Sequence, residues 1–294
     1  MAVLSAANTQ RPASDTAQSL VSATAFSVAS AGVCTAHAGD ARWMRGHRRL
    51  CAGRRDGVVR GPLILAADRA GAGDDRYMKL RSAEELAATA DPAWPHVLEL
   101  IAEAAVPVQV VPPTDATAGA RTLFRLQVTT RSTLGALAIN CGAMLVDHGW
   151  LRLLGCGLVG LADLAEANGL GEPSPRATSP GHLVVGYDVL GGTFAVNGGG
   201  LPGDPGEVCY FGPDTLTWTP IGLSGHSALL QWALAGGLAG TFADLRWPSW
   251  QPDVSAVAPG QGLFVYPPLW AAEARSSSTV KRSAVPMTEL LGSH

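Results

Sequence analysis

The stretch Asp188–Pro220 reads DVLGGTFAVNGGGLPGDPGEVCYFGPDTLTWTP, and its reading decides the fold. Eight glycines and four prolines punctuate it, yet apolar residues return between them at the two-residue spacing of strands. A phosphate-binding loop sets its glycines between a strand and a helix N-terminus. Here strand-like text stands on both sides, and no Gly-Lys-Ser/Thr follows. The glycines are therefore turns. HLVVGYDV and TFAVN flank Gly191-Gly192, a pair that accepts the positive φ of a two-residue type I′ hairpin loop. EVCYFG and TWTP flank PDTL, where Pro213-Asp214 favours a second turn. Phe194 and Val196 share one strand face, as do Val208 and Tyr210 on theirs.

Downstream, Thr215 to Ala243 contains no Asp, Glu, Lys or Arg. Pro220 and Gly236-Gly237 divide it into pieces too short to span a membrane. Buried helices are expected instead, one capped by Ser227 and carrying Leu229, Leu230, Trp232, Ala233 and Leu234, the next carrying Leu238, Phe242 and Leu245. Trp247, Trp250, Tyr266 and Trp270 read as aromatics closing a core edge. From Ala271 the text loosens into a tail, with a short helix at Met287–Leu291.

Upstream, Ser82-Ala83-Glu84-Glu85 is a capping box for a short helix. Asp91-Pro92 reads as the start of a second, with Val97, Leu98, Ile101 and Ala105 on its buried face, stopped by Pro107. TLFRLQVTT and Gly135–Asn140 read as strands, the latter turning at Cys141-Gly142 into Ala143–Asp147. EANGLGEPSPRATSPG is a loop. The whole predicts an α+β fold: an antiparallel sheet of meander and hairpins with helices packed on it.

Hydrophobic residues make up 47% of the 294, enough for a sizeable core. Residues 1–77 hold ten Arg, no Lys and six acids, a net charge of +4, whereas 78–294 carry −7, together the −3 of the chain. The first part, rich in Ala and Ser and then basic, is read as a disordered extension. Ordered text begins at Met78, which is read as the natural start, with one α+β domain over 78–291. The apolar run near residue 20 is interrupted by Ser19, Ser22, Thr24, Ser27 and Ser30, which fits neither a secretory leader nor a membrane span. The acidic balance of 78–294 suits no nucleic acid, whose phosphates need clustered basic side chains, and is compatible with a basic protein partner. Five scattered cysteines without a CxxC pair fit small buried residues in the reducing cytoplasm.

Chemistry is sparse. Asp147-His148 is the most inviting pair, but neighbours in a strand point to opposite faces and cannot form an acid–imidazole dyad. His182 and His226 stand alone, no HxxxH or HExxH suggests metal, and no Gly-x-Ser-x-Gly elbow is present. Asp188, Asp204, Glu207 and Asp214 match no EF-hand loop and read as solvated turn acids. No catalytic residue, cofactor or metal is assigned. The candidate interaction surface comprises Asp147, His148, Trp150, Asp188, Asn197, Asp204, Asp214, Trp218 and His226.

DPAWPHVLELIAEA, LQVTTRSTLGALA, LVDHGWLRLLGCG, DVLGGTFAVNGG, VCYFGPDTLTWTP and RWPSW…YPPLW together resemble the bacterial family DUF2625, over about Met78 to Leu291. Members commonly read YFAPDTL where this chain has Gly212, and an aromatic-serine pair where it has His226-Ser227. A remoter resemblance, to the SUKH or SMI-type immunity superfamily, rests on Gly191–Asn197, Gly206–Phe211 and Leu229–Trp232. It implies an α+β domain that binds another protein, often a toxin. The leading expectation is a non-enzymatic protein-binding module around the meander. The alternatives are a small hydrolase or other enzyme with a cleft near His148, or a structural or assembly role through the terminal tryptophans.

Overall fold

The computed structural model describes residues 79–276 and 280–292. The expected disordered extension 1–77, the start at Met78, Cys34 and Cys51 lie outside the described residues. Seven strands form one antiparallel sheet in strictly sequential order: β1 (Val108–Val111), β2 (Ala143–Val146), β3 (Leu151–Leu154), β4 (His182–Asp188), β5 (Thr193–Asn197), β6 (Glu207–Phe211) and β7 (Trp218–Ser224). The last four are the meander read from the glycine spacing. Phe194 opposes Tyr210 and Ala195 opposes Cys209, so Phe194, Val196, Val208 and Tyr210 share one face. Pro220 sits inside β7 without breaking the sheet because β7 is an edge strand, where a missing N–H donor costs no ladder bond.

That inner face is covered by helices. Ser82 and Glu85 make both capping-box bonds at α1 (Ala83–Ala87). The second helix, α2 (Trp94–Ala102), starts later than Asp91-Pro92 suggests, with Pro95 in its first turn; Val97 is buried, but Leu98 is 47% exposed and faces water. The segments read as strands before Cys141 are helices α3 (Ala118–Leu126) and α4 (Thr133–Asn140). The reason is visible in the burial. Ala118, Gly119, Thr122, Leu123 and Leu126 recur at helical spacing, and Ser132 caps α4 through the Gly135 amide. Gly135 packs against the Thr129 carbonyl so closely that no Cβ would fit. Helix α5 (Gly225–Leu234) follows β7 directly, beginning before Ser227, and buries Leu229, Leu230, Ala233 and Leu234 as expected. Leu238 and Phe242 are buried in and just after α6 (Leu238–Thr241).

The C-terminal text is not a loose tail. After α7 (Trp250–Ser255), strand β8 (Gln261–Tyr266) pairs with β9 (Lys281–Pro286) in a separate two-stranded sheet; α8 (Ala272–Ser276) lies between them and α9 (Met287–Leu291) ends the described chain. Of the four aromatics expected at a core edge, Trp247 and Trp250 pack against the core, but Tyr266 and Trp270 are 62% and 52% exposed.

Candidate functional site

The expected dyad pair Asp147-His148 does not lie in a strand. It forms the turn between β2 and β3, with φ of 55° at Asp147, 60° at His148 and 84° at Gly149. Consecutive left-handed residues, two of them not glycine, need support from their surroundings. The support comes from a hundred residues away. Arg246 donates to the buried Asp147 carboxylate at 2.6 Å, and its guanidinium lies 4.8 Å from the Trp150 ring centroid and 4.0 Å from that of Trp250. The His148 ring meets Trp250 edge-on at 5.6 Å, and its Nδ1 is 3.4 Å from the Ser255 hydroxyl at the end of α7. Trp247 donates to Asp253 at 2.6 Å beneath the Arg282 guanidinium. DHGW and RWPSW therefore form one corner, an Arg between two indoles.

The tip of the β4–β5 hairpin is buried beside this corner. Its loop has four residues, Val189–Gly192, rather than the two of a type I′ turn, and only Gly191 has positive φ. Val189 donates to the Trp150 carbonyl and accepts from the Leu263 amide. Asp188, expected as a solvated acid, is fully buried. It accepts from the Leu190 and Gly192 amides at 2.8 Å and from the Tyr210 hydroxyl at 2.5 Å. Burial pushes its carboxyl upward against the pull of those donors and of Arg152, while burial and Asp188 push the Tyr210 phenol well above its ordinary value. Arg152, also buried, bonds the Gly149 and Pro259 carbonyls; desolvation lowers it to about 10. Asn197 is buried too. Its side chain spans the next loop, accepting from Gly199 and Leu201 amides and donating to the Leu201 carbonyl. Asp147, Trp150, Asp188, Asn197 and His226 are thus corrected from surface candidates to interior residues.

On the outer face of the meander Ala195, Asn197 and Cys209 are buried, and only residues around them stay partly accessible. Cross-strand register places Thr193, Phe211 and Trp218 side by side, with Glu207 on the same face of β6. Phe211, Trp218 and His182 are half-buried, and the Trp218 ring lies 5.5 Å from Phe211 and 5.6 Å from His182. Asp204 is exposed in the loop before β6, and Asp214 is half-buried in the turn after it. From Ala177 through Leu245 the chain contains no Lys or Arg.

The family profile described as a protein of unknown function, DUF2625, matches residues 83–290. The chain belongs to the DUF2625 family. It is 35% identical over 211 residues to the uncharacterized protein YbfG of Escherichia coli (strain K12), covering 72% of this chain and 94% of that one. An uncharacterized protein of Haemophilus influenzae is 32% identical over 190 residues, covering 64% of this chain and 82% of the relative. No solved structure matches. In this DUF2625 chain the quoted blocks DHGW, DVLGGTFAVNGG, VCYFGPDTLTWTP and RWPSW build the corner, the buried hairpin and the outer face.

A cavity of about 420 Å³ is lined by Arg121, Phe124, Arg125, Cys156, Asp163 and Glu172, but its guanidiniums are engaged: Arg125 with Asp163 at 3.1 Å and Arg121 with Asp115 at 2.9 Å. Among the described residues no group of three His, Cys, Asp or Glu is placed to hold a metal ion. No helix among them is long and apolar enough to cross a membrane. Cys141, Cys156 and Cys209 are free and buried, and desolvation raises each thiol, Cys141 to about 12.

His226 is buried where α4 and α5 begin, its Nδ1 2.8 Å from the Thr133 hydroxyl. Desolvation depresses it from 6.5 to about 4, and two helix N-termini are poor hosts for a cation. Because the folded value lies below the unfolded one, the neutral ring's contribution is complete above pH 6.5 and is lost as pH falls towards 4. About 2–3 kcal/mol of stability should disappear across that window. Urea titrations at stepped pH check this, with His226→Gln expected to remove that component of the slope.

Proposed function

We propose that this protein is a binding module that docks a basic protein partner on the outer face of the meander. The observation that carries the reading is the joining of Phe211, Trp218 and His182 to Glu207, Asp204 and Asp214 on a stretch of chain without a single Lys or Arg. Large aromatics supply contact area at little entropic cost, and a rim of one charge sign steers an oppositely charged partner and rejects like-charged ones. The SUKH resemblance supports one form of this role, immunity, in which the partner is a toxin. The free, buried cysteines support the cytoplasm as the compartment.

A hydrolase at His148 is the second reading, and the Ser255–His148 approach of 3.4 Å is the observation in its favour. Against it, the adjacent carboxylate of Asp147 is committed to Arg246 rather than to the imidazole.

The test is capture of a partner from the native host by the full chain, followed by measured affinities. Trp218→Ala should weaken binding at least tenfold, Asp204→Lys with Asp214→Lys should do the same, and binding should fall as salt rises. A partner that binds all variants equally, or binds more tightly at high salt, overturns the reading.

A further inference from the structure

The pairing of β2 with β3 runs past the strand ends. Register sets Ala143 opposite Leu154, and the same register carried outward sets Cys141 opposite Cys156. Backbone hydrogen bonds show that it does continue. The Cys156 amide donates to the Cys141 carbonyl at 2.8 Å, and the Gly155 and Gly157 amides both donate to the Gly142 carbonyl. Cys141 closes α4 in the extended conformation, with φ −144° and ψ 152°. Opposed residues of an antiparallel pair turn their side chains to one face. Where a hydrogen bond joins them, their Cα atoms lie about 5.5 Å apart, inside the roughly 4.4–6.8 Å that a disulfide spans. The Cys156 thiol accordingly lies against its neighbour, donating to the Cys141 carbonyl at 3.2 Å.

Access differs between the two. Cys141 is wholly buried, its thiol turned to the Leu137 carbonyl of α4 at 3.4 Å. Cys156 forms part of the wall of the 420 Å³ cavity, beside Arg121 and Asp163. Glycine keeps the crossing close, since a Cβ at Gly155 would strike the Cys141 carbonyl. Cys209 has no such neighbour: Ala195 and Pro220 stand opposite it on the two adjoining strands.

We propose that Cys141 and Cys156 form a reversible oxidation site, closed to a disulfide by a hydroperoxide entering through the cavity. The Cys156 thiolate attacks the peroxide, the O–O bond breaks, and the sulfur becomes a sulfenic acid while the departing oxygen takes up a proton. The Cys141 sulfur then gives up its proton and displaces hydroxide from Cys156, forming the S–S bond and releasing water. Two thiols and one hydrogen peroxide thus become one disulfide and two waters. A dithiol reductant reverses the step by exchange. Burial pushes both thiols up, Cys141 to about 12, so the pair stays reduced in a thiol-buffered cytoplasm and closes only under sustained oxidant. Closure fastens the end of α4 to the wall of the cavity.

Peptide mapping of the folded full chain after hydrogen peroxide treatment, with free thiols blocked before digestion, tests this. The expected result is one pair of peptides joined through Cys141 and Cys156, separated again by dithiothreitol, with Cys209 still free. Cys141→Ser should abolish the link and leave Cys156 as a sulfenic acid that dimedone traps, whereas Cys156→Ser should leave Cys141 reduced. Circular dichroism establishes that each chain is folded, and should a serine variant not fold, the map of the unaltered chain carries the test alone. Recovery of both residues as free thiols overturns the inference. So does a link from either one to a different cysteine, a link that forms only in urea, or Cys156 driven to sulfinic acid while Cys141 stays free. None of these outcomes involves Trp218, so the docking face stands or falls on its own test.

Discussion

Replacing Gly192 with alanine is expected to destabilise the protein by about 3–4 kcal/mol, far more than the same change at Gly191. Gly191 needs glycine for its backbone, with φ at 93°, and alanine there costs about 1–2 kcal/mol of left-handed strain. Gly192 needs glycine for space. A Cβ would run into the Asp188 carboxylate and the Tyr210 hydroxyl, the two groups that join the β4–β5 turn to β6 inside the core. Neither can retreat without breaking a hydrogen bond to a buried carboxylate. Asp188→Ala attacks the same lock from the other side, leaving the Leu190 and Gly192 amides and the Tyr210 hydroxyl without their acceptor and the buried Arg152 without its nearby opposite charge, and should cost about 3–5 kcal/mol. Urea midpoints with unchanged slopes would confirm that stability, not compactness, has changed. Equal effects at Gly191 and Gly192 would show that the turn is governed by conformation alone.

Arg246→Met is expected to be the second large loss, again about 3–5 kcal/mol, because it strands a buried carboxylate in a backbone that already resists its φ. The methionine keeps the stem that lies between Trp150 and Trp250, so the loss reports charge more than packing. Combining it with Asp147→Asn, which also tolerates the left-handed turn, should recover a substantial part. A double variant as unstable as the sum of the singles would mean that the ion pair does not hold the corner.

The meander was legible because two signals agreed: two-residue apolar alternation, and glycine or proline at each reversal. The strands preceding it were misread for the same reason in reverse. The β-branched Val128-Thr129-Thr130 suggested extension, while the helical stripe of Leu123 and Leu126 lay under it, and the small residues of Gly135–Ala138 gave propensity nothing to distinguish. β1 and β9 carry little signal because they are short or largely exposed. The candidate site was legible in its residue types but not its depth. Asp147, Asp188 and Asn197 look like surface polar residues in sequence; only folding reveals partners such as Arg246 and Tyr210, up to 99 positions distant. RWPSW held the missing signal, an Arg set among tryptophans in an otherwise charge-poor region.

Photocross-linking from position 218 tests the docking face most directly. With a photoreactive phenylalanine analogue at Trp218, and at Leu98 on α2 as a control that is also exposed, irradiation in the native host should yield an adduct with a basic protein from position 218 and none from 98. The same adduct from both positions, or from position 98 only, would contradict a partner seated on Phe211, Trp218 and the acids around them.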